Sequence, residues 1–318
     1  MSISFKEDHI SQIPALLMLE KFGYTYLTPD EALALRGGNL ANVLLEPVLR
    51  KQLAAINVVQ VSSMRTTVFS EQNITAGIDA LRNIPMDEGF MEASQTVYDL
   101  LTSGKTLEQI VDGDRKSFVM QYIDWKNPRN NVFHVTEEFA VSRTGMTDTY
   151  RPDIVLFVNG IPLCIIECKR PDVKDSIEQA ISQHLRNQKA DGIRSLYLYS
   201  TLLLAINRQE GSYATTATPE KFWARWREQF TDREEEARYR QELERVVNEP
   251  LLDDKLFGER FDYVHRNFED LYKQPVTPSV QDEYLYSLCR PERLLQLMYG
   301  FTLYDDGIKK VARYQQYF

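Results

Sequence analysis

The spacing of apolar residues changes twice along the chain, from a helical period to a strand period and back. Residues 5–22 place apolar side chains three and four positions apart, which predicts an amphipathic helix that ends near Gly23. A short β-rich stretch follows at 24–27, and 29–117 are predicted to be mostly helical, with prolines marking the helix boundaries. The first third of the chain is therefore predicted to be mainly α.

From about residue 119 the apolar residues alternate or form short continuous runs, as strands require. Strands are predicted at 118–124, 133–143, 151–158, 161–169 and 196–206, with a further β segment at 213–218. Asn159-Gly160, between two of these runs, predicts a tight hairpin. One helix is predicted at 175–189. The middle of the chain is thus predicted to be an α/β core.

After residue 218 the pattern is helical again. A helix is predicted to start at Pro219, and 231–245 form a charge-dense helical run. The aromatic-rich stretch 251–318 is also predicted to be helical. We therefore expect a charged helical connector at 226–250 between the core and a C-terminal helical segment.

Composition narrows the class of protein. The chain has 318 residues, enough for about two domains, and its net charge of −9 disfavours a protein that coats DNA or membranes through bulk charge. An enzyme with a local nucleic-acid site is still compatible with that charge. Three cysteines, no zinc-ligand pattern, no signal peptide and no long apolar run predict a reduced cytoplasmic protein without a membrane segment.

The predicted hairpin carries the main chemical signal. Arg151-Pro152-Asp153 is followed by thirteen residues and then by Glu167-Cys168-Lys169. Glu167 and Lys169 are two positions apart and face the same side of a strand. The turn folds the chain back, so Asp153 is predicted to lie beside them. Two carboxylates and an ammonium group thus converge at one end of a sheet.

Charges at the end of an apolar strand are costly to bury unless they are paired or bind a metal. Paired carboxylates suit Mg²⁺, which can activate a water molecule and neutralise charge on a scissile phosphate. Lys169 could orient that water or stabilise the transition state. The alternative is a structural salt-bridge cluster of Asp153, Lys169 and Glu167.

Residues 151–171, RPDIVLFVNGIPLCIIECKRP, resemble the PD-(D/E)xK nuclease signature. More narrowly, they resemble the N-terminal nuclease domain of the R (HsdR) subunit of type I restriction enzymes. The similarity extends to parts of 178–223 and to the tail at 309–318. It implies an endonuclease domain at 1–225, with a mixed central sheet flanked by helices. Within that domain, 1–28 and 119–218 form the core and 29–118 a helical insertion, and 251–318 lead into a truncated helicase motor.

The resemblance implies that Asp153 and Glu167 are Mg²⁺ ligands and that Lys169 is the catalytic lysine. The family also has a Gln-x-x-x-Tyr motif on the next helix. Gln183 matches its glutamine, but Asn187 stands in the tyrosine position. Gln183 is therefore expected to contact the DNA backbone or to orient Lys169, and the alternative is an exposed polar residue of the helix.

Further residues are expected to support this site. Arg170, Lys174 and Arg186 are candidates for a basic rim that contacts DNA, and Glu7 is a candidate additional acidic residue. For each of them the alternative is an ordinary solvated side chain.

By resemblance, the function is that of a type I site-specific deoxyribonuclease acting on double-stranded DNA. An ATP-driven motor beyond residue 318 would translocate the DNA, and separate M and S subunits would provide methylation and specificity. Two alternatives are a PD-(D/E)xK repair or recombination nuclease and an inactive nuclease fold kept as an interaction module. The motor-like tail argues against the first, and the intact Asp153, Glu167 and Lys169 argue against the second.

Overall fold

The structure is a computed structural model that describes residues 11–62, 65–250, 255–258, 260, 262–271 and 273–318. Its helices are α1 Ile13–Lys21, α2 Pro29–Ala34, α3 Glu46–Ile56, α4 Glu71–Arg82, α5 Phe90–Ser103, α6 Ser176–Asn187, α7 Arg194–Tyr197, α8 Arg233–Val247, α9 Lys255–Gly258, α10 Asp262–Leu271, α11 Val280–Leu288, α12 Pro291–Gly300 and α13 Tyr314–Tyr317. Its strands are β1 Thr25–Leu27, β2 Val58–Ser62, β3 Arg65–Val68, β4 Lys105–Val111, β5 Asp114–Met120, β6 Phe133–Glu137, β7 Val141–Ser142, β8 Thr149–Tyr150, β9 Ile154–Val158, β10 Ile161–Cys168, β11 Leu202–Ile206, β12 Gly211–Ala214, β13 Thr302–Asp305 and β14 Ile308–Val311.

The core is a six-stranded mixed sheet in the order β1-β6-β9-β10-β11-β12. The pairs β1–β6 and β10–β11 are parallel, and the other neighbours are antiparallel. Every residue of β9, β10 and β11 is buried, as expected for continuous apolar strands covered on both faces. Helix α1 packs against β1 and β6, and α6 packs against β10 and β11. The predicted α/β fold with a mixed sheet flanked by helices is confirmed.

The Asn159-Gly160 turn joins β9 to β10 as predicted. Both residues have positive φ angles, 52° and 84°, which two-residue hairpin turns need. The Asn159 amide donates to the carbonyl oxygen of Tyr122 at 2.9 Å. A Cβ on Gly160 would lie 2.6 Å from the Leu45 carbonyl oxygen, so only glycine fits there. This turn fixes the register of the hairpin that carries Asp153 and Glu167.

The insertion is less helical than predicted. Helices α2–α5 are present, but β2–β3 and β4–β5 form two antiparallel hairpins outside the central sheet. The strand expected at 118–124 is β5, which ends at Met120 and pairs with β4. Exposed and more buried positions alternate along β4, as in other strands. Polar side chains occupy positions of both kinds, so the hydropathy of the sequence does not show the alternation.

Two predicted strands of the core are interrupted. The segment 133–143 divides into β6 and β7 because Glu138 takes a left-handed conformation with φ 47°. In the segment 196–206, the first two residues are the last two of α7, and only the second half forms β11. Short apolar runs do not distinguish a buried helical turn from a strand, which explains the second error.

The C-terminal part also departs from the prediction. The helix expected at Pro219 is only a 3₁₀ turn at Glu220–Phe222, whereas the charged helix is confirmed as α8. The segment 251–318 contains the hairpin β13–β14 besides its helices. Among the residues that the structure covers, no helix has the length and apolar character needed to cross a bilayer.

Candidate active site

Asp153 and Lys169 meet at one edge of the central sheet. Asp153 immediately precedes β9, and Lys169 immediately follows β10. The Asp153 Oδ2 atom accepts a hydrogen bond from the Cys168 backbone N–H at 2.7 Å and lies 3.5 Å from the Lys169 Nζ atom. Lys169 Nζ also donates to the Cys168 carbonyl oxygen at 3.0 Å. The convergence predicted from the hairpin is therefore observed.

Glu167 is fully buried beside this pair. Its Oε2 atom accepts a hydrogen bond from Gln183 Nε2 at 2.5 Å, whereas its Oε1 atom has no hydrogen-bond partner among the described residues. Burial raises the pKa of Glu167 well above its usual range, and the neighbouring Asp153 carboxylate raises it further. A buried carboxylate oxygen without a donor is costly, and a bound cation would relieve that cost.

Helix α6 aims Gln183 at Glu167 because His184 anchors the helix to the sheet. His184 Nε2 lies 2.9 Å from the Leu204 carbonyl oxygen, and Nδ1 lies 2.9 Å from the Tyr197 hydroxyl. A carbonyl only accepts, so Nε2 carries the proton and Tyr197 donates to Nδ1. Burial lowers the pKa of His184 to about 4, which keeps the ring neutral.

Asn187, at the position of the family's tyrosine, is also buried. Its Oδ1 atom accepts hydrogen bonds from Arg186, and its Nδ2 atom lies 3.5 Å from the Tyr197 hydroxyl. Asn187 therefore belongs to the anchor of α6. Gln183 contacts Glu167, and no hydrogen bond joins it to Lys169 within the described part of the chain.

A second buried carboxylate, Glu137, was missed by the sequence analysis. Arg260 donates to both of its oxygens, at 2.6 and 2.5 Å, and the Tyr26 hydroxyl donates to one of them. Gln12 Nε2 donates to Glu137 at 3.0 Å and to the Asp153 carbonyl oxygen at 3.2 Å. A charge at the end of an apolar strand could have signalled Glu137, but its partner Arg260 lies 123 positions away in the chain.

A cleft of about 520 Å³ opens beside Asp153. Its walls come from the core and from the C-terminal segment, with contributions from Gln12, Tyr26, Thr28, Pro29, Glu137, Glu138, Asp153, Lys255, Leu256 and Arg260. The exposed Glu138 is held next to Asp153, because its backbone N–H donates to the Asp153 carbonyl oxygen at 3.0 Å. Partial desolvation of its carboxyl group by the cleft walls, together with the charges of Asp153 and Glu137, raises the pKa of Glu138. Asp153 thus lines this cleft, whereas the fully buried Glu167 does not.

The expected basic rim is only partly present. Arg170 forms an ion pair with Asp172, and Lys174 is almost fully exposed, with its Nζ atom 4.0 Å from Asp175. Arg186 is exposed on α6, with its guanidinium carbon 4.4 Å from the centre of the Tyr150 ring. Glu7 lies outside the described residues.

The donor set suits a hard divalent cation. Within the described ranges, no three His, Cys, Asp or Glu side chains are grouped so as to hold a metal. Asp153 and Glu167 nevertheless provide two adjacent carboxylates, and the unpartnered Glu167 oxygen leaves a position for a ligand. Mg²⁺ in enzymes commonly takes only one or two carboxylates and fills its remaining positions with water and phosphate oxygens. The residues present therefore fit Mg²⁺.

Comparison with known proteins assigns the family. Residues 4–222 match the family model described as type I restriction enzyme R protein N terminus. A Methanocaldococcus jannaschii protein named as the MjaIXP endonuclease subunit of a type I restriction enzyme is 26% identical, over 98% of this chain and 27% of that protein. The HindI endonuclease subunit of Haemophilus influenzae is 24% identical, over 98% of this chain and 26% of its own length. The chain thus spans about a quarter of these relatives, and it belongs to the family of type I restriction enzyme R proteins.

Proposed function

We propose that this chain carries the Mg²⁺-dependent endonuclease of a type I restriction enzyme R subunit, built on a PD-(D/E)xK core, and that it hydrolyses phosphodiester bonds of double-stranded DNA. One observation carries the proposal. Asp153, Glu167 and Lys169 meet at one sheet edge, and one buried oxygen of Glu167 has no hydrogen-bond partner in the part of the chain that the structure describes. The family and the names of the relatives support the same activity.

Asp153 and Glu167 would hold the metal ion. When bound, Mg²⁺ would neutralise charge on the scissile phosphate and lower the pKa of a water molecule. Gln183 occupies one oxygen of Glu167 and thereby directs the other toward the cation. The Asp153 side chain is fixed by the Cys168 N–H, so both ligands are held before substrate binds.

Lys169 would act on the attacking water and on the charge that develops on the phosphate. Its side chain is only 12% exposed, and its Nζ atom lies 3.5 Å from Asp153 Oδ2. An ammonium group held at a poorly hydrated site stabilises a developing negative charge more strongly than it would in water. Its hydrogen bond to the Cys168 carbonyl oxygen holds the side chain at the strand end.

The remaining functions belong to the longer protein. We propose that a motor in the rest of the R subunit uses ATP to translocate DNA, and that M and S subunits provide methylation and sequence specificity in the cytoplasm. The lengths of the relatives support this division, since this chain corresponds to about a quarter of each. The connector at 226–250 and the segment 251–318 would join the nuclease to the motor.

The decisive experiment uses a full-length R subunit that contains this chain, assembled with its M and S subunits. Asp153→Asn and Lys169→Met should each lower plasmid cleavage by about a hundredfold or more, with ATP hydrolysis retained. Asp114→Asn and Lys116→Met on β5 are matched controls, because both residues are exposed and lie outside the central sheet. Cleavage at the parental rate by Asp153→Asn would refute the assignment.

A further inference from the structure

Tyr150 is held between two arginines next to the candidate active site. Its ring centre lies 4.5 Å from the guanidinium carbon of Arg143 and 4.4 Å from that of Arg186. Tyr150 ends the small hairpin β7–β8 and is separated from Asp153 by only two residues. Arg186 comes from α6, the helix that also carries Gln183. The β7–β8 hairpin and helix α6 are thus in contact through the Tyr150 ring.

The two arginines have different electrostatic environments. Arg143 is largely buried and pairs with two carboxylates, Asp148 at 3.0 Å and Asp191 at 2.7 Å. Arg186 is exposed, and its hydrogen bonds, at 3.4 and 3.2 Å, go to the neutral Asn187 Oδ1. Among the ion pairs formed by the described residues, none joins Arg186 to a carboxylate. Its positive charge is therefore available, whereas that of Arg143 is already neutralised.

The β7–β8 hairpin is tied to the loop that follows α6. Arg143 Nε donates to the Asp191 carbonyl oxygen at 3.0 Å, and the Thr144 N–H donates to the Gly192 carbonyl oxygen at 2.9 Å. A Cβ on Gly192 would lie 2.3 Å from the Asn187 carbonyl oxygen, so the close approach depends on glycine. Tyr150 is thus a fixed platform, and a cation–π contact holds Arg186 on it without neutralising the charge.

Arg186 also lies near the reacting groups. It follows Gln183 by three positions, so both lie on one side of α6, about 4.5 Å apart along its axis. Gln183 in turn donates to Glu167. The Arg186 charge is also close enough to Glu167 to act on its pKa, which it lowers against the larger effects of burial and Asp153. Since two guanidinium groups already cover the Tyr150 ring, a base has little room to stack on it.

We propose that Arg186, preorganised on Tyr150, is a sequence-independent contact to the DNA backbone beside the scissile bond, with Arg143 as its structural support. The proposal rests on the nuclease function and assigns part of the surface on which the substrate lies. Phosphate contacts position DNA without reading its sequence.

The test measures binding of the chain to a fluorescein-labelled duplex of about 30 base pairs by anisotropy, in EDTA and from about 50 to 200 mM salt. Arg186→Gln should weaken binding several-fold and lower the slope of log K against log salt by about 0.9. Tyr150→Ala should cause a comparable loss, and Tyr150→Phe, which keeps the ring, should not. Arg240→Gln on α8, whose arginine pairs with Glu236, is the matched control and should leave the salt slope unchanged.

The loss should be equal on two duplexes of unrelated sequence, because the contact is to phosphate. An unchanged salt slope for Arg186→Gln, or no binding by the parent chain at the lowest salt, would overturn the proposal. A loss in Tyr150→Phe equal to that in Tyr150→Ala would overturn the role of the ring. Arg186 is exposed, so its variant keeps the test valid if Tyr150→Ala unfolds. DNA binding in EDTA does not depend on catalysis. A negative result in this binding experiment can therefore be told apart from a negative result in the cleavage experiment with Asp153→Asn.

Discussion

Two buried glutamates flank Asp153 in the same sheet, and their environments differ. Glu137 ends β6 and Glu167 lies near the end of β10, with β9 between them. Glu137 receives hydrogen bonds from Arg260, Tyr26 and Gln12. Glu167 receives one from Gln183, and its other oxygen has no hydrogen-bond partner among the described residues. The chain itself compensates the first charge, whereas we propose that a bound cation compensates the second.

Under the proposed function, this difference separates a structural carboxylate, Glu137, from a metal-binding one, Glu167. Burial alone does not, because the exposed fractions are 6% for Glu137 and 0% for Glu167. Burial and the Glu137 charge raise the pKa of Tyr26, so its hydroxyl stays protonated and continues to donate. At Glu167, burial and the neighbouring Asp153 carboxylate raise the pKa of the acid itself, and the charges of Lys169 and Arg186 offset this only in part. The number of carboxylate oxygens that accept a hydrogen bond, and the sign of the neighbouring charges, therefore distinguish the two glutamates better than burial does.

The largest expected stability effect is at Glu137. Glu137→Gln leaves the largely buried Arg260 guanidinium without its counter-charge and should lower the free energy of unfolding by about 3 kcal/mol. Urea denaturation of the metal-free chain measures this. Glu138→Gln, at the adjacent exposed residue, should change stability by no more than about 0.5 kcal/mol. Equal stability of Glu137→Gln and the parent would show that Glu137 is not structural.

Lys309 extends the comparison to a buried cation. It is 3% exposed, its Nζ atom donates to the Ser200 carbonyl oxygen at 3.0 Å, and burial lowers its pKa to about 7. Between that pH and about 10.4, the usual value, the unfolded chain binds more protons than the folded chain. The free energy of unfolding should therefore rise as the pH rises from about 7 to about 10.4. The destabilisation caused by burying the charged Lys309 ammonium group is greatest at pH 7 and below.

Lys309→Met should accordingly stabilise the protein at pH 7 by about 1–3 kcal/mol and remove this part of the pH dependence. Thermal unfolding from pH 7 to 9 measures both effects. Lys310→Met is the matched control, since Lys310 is exposed and pairs with Asp305. Identical pH profiles for Lys309→Met and the parent would contradict a charge penalty at this site.

The smallest expected change, and one of opposite sign to that at Glu137, is at Glu167. Glu167→Gln keeps an acceptor for Gln183 but removes a buried charge beside Asp153. Without metal it should raise the free energy of unfolding by about 1 kcal/mol, and it should abolish the stabilisation that Mg²⁺ gives the parent. Thermal unfolding with and without Mg²⁺ measures both, with Glu178→Gln on α6 as an exposed control. A destabilised Glu167→Gln would place Glu167 with Glu137 as a structural carboxylate.

The convergence of Asp153 and Lys169 could be predicted because its causes are local. A two-residue turn at Asn159-Gly160 and a period of two along each strand are enough to bring the hairpin ends together. Continuous apolar runs likewise predicted strands that are buried on both faces. The errors arose where short segments admit two conformations, as in the first half of 196–206, where the end of α7 precedes β11.

The sequence by itself determined the α/β class, the hairpin and the residue types at the candidate site, since these follow from periodicity and turn chemistry over a few residues. Only the tertiary structure decided which buried charges are compensated. Arg260 reaches Glu137 across 123 positions, and Leu204 and Tyr197 fix His184 from other elements. The electrostatic environment of a carboxylate depends on whatever packs within a few ångströms of it. Residues distant in sequence provide those neighbours, so no local pattern could show which of the two glutamates has its hydrogen bonds satisfied within the described part of the chain.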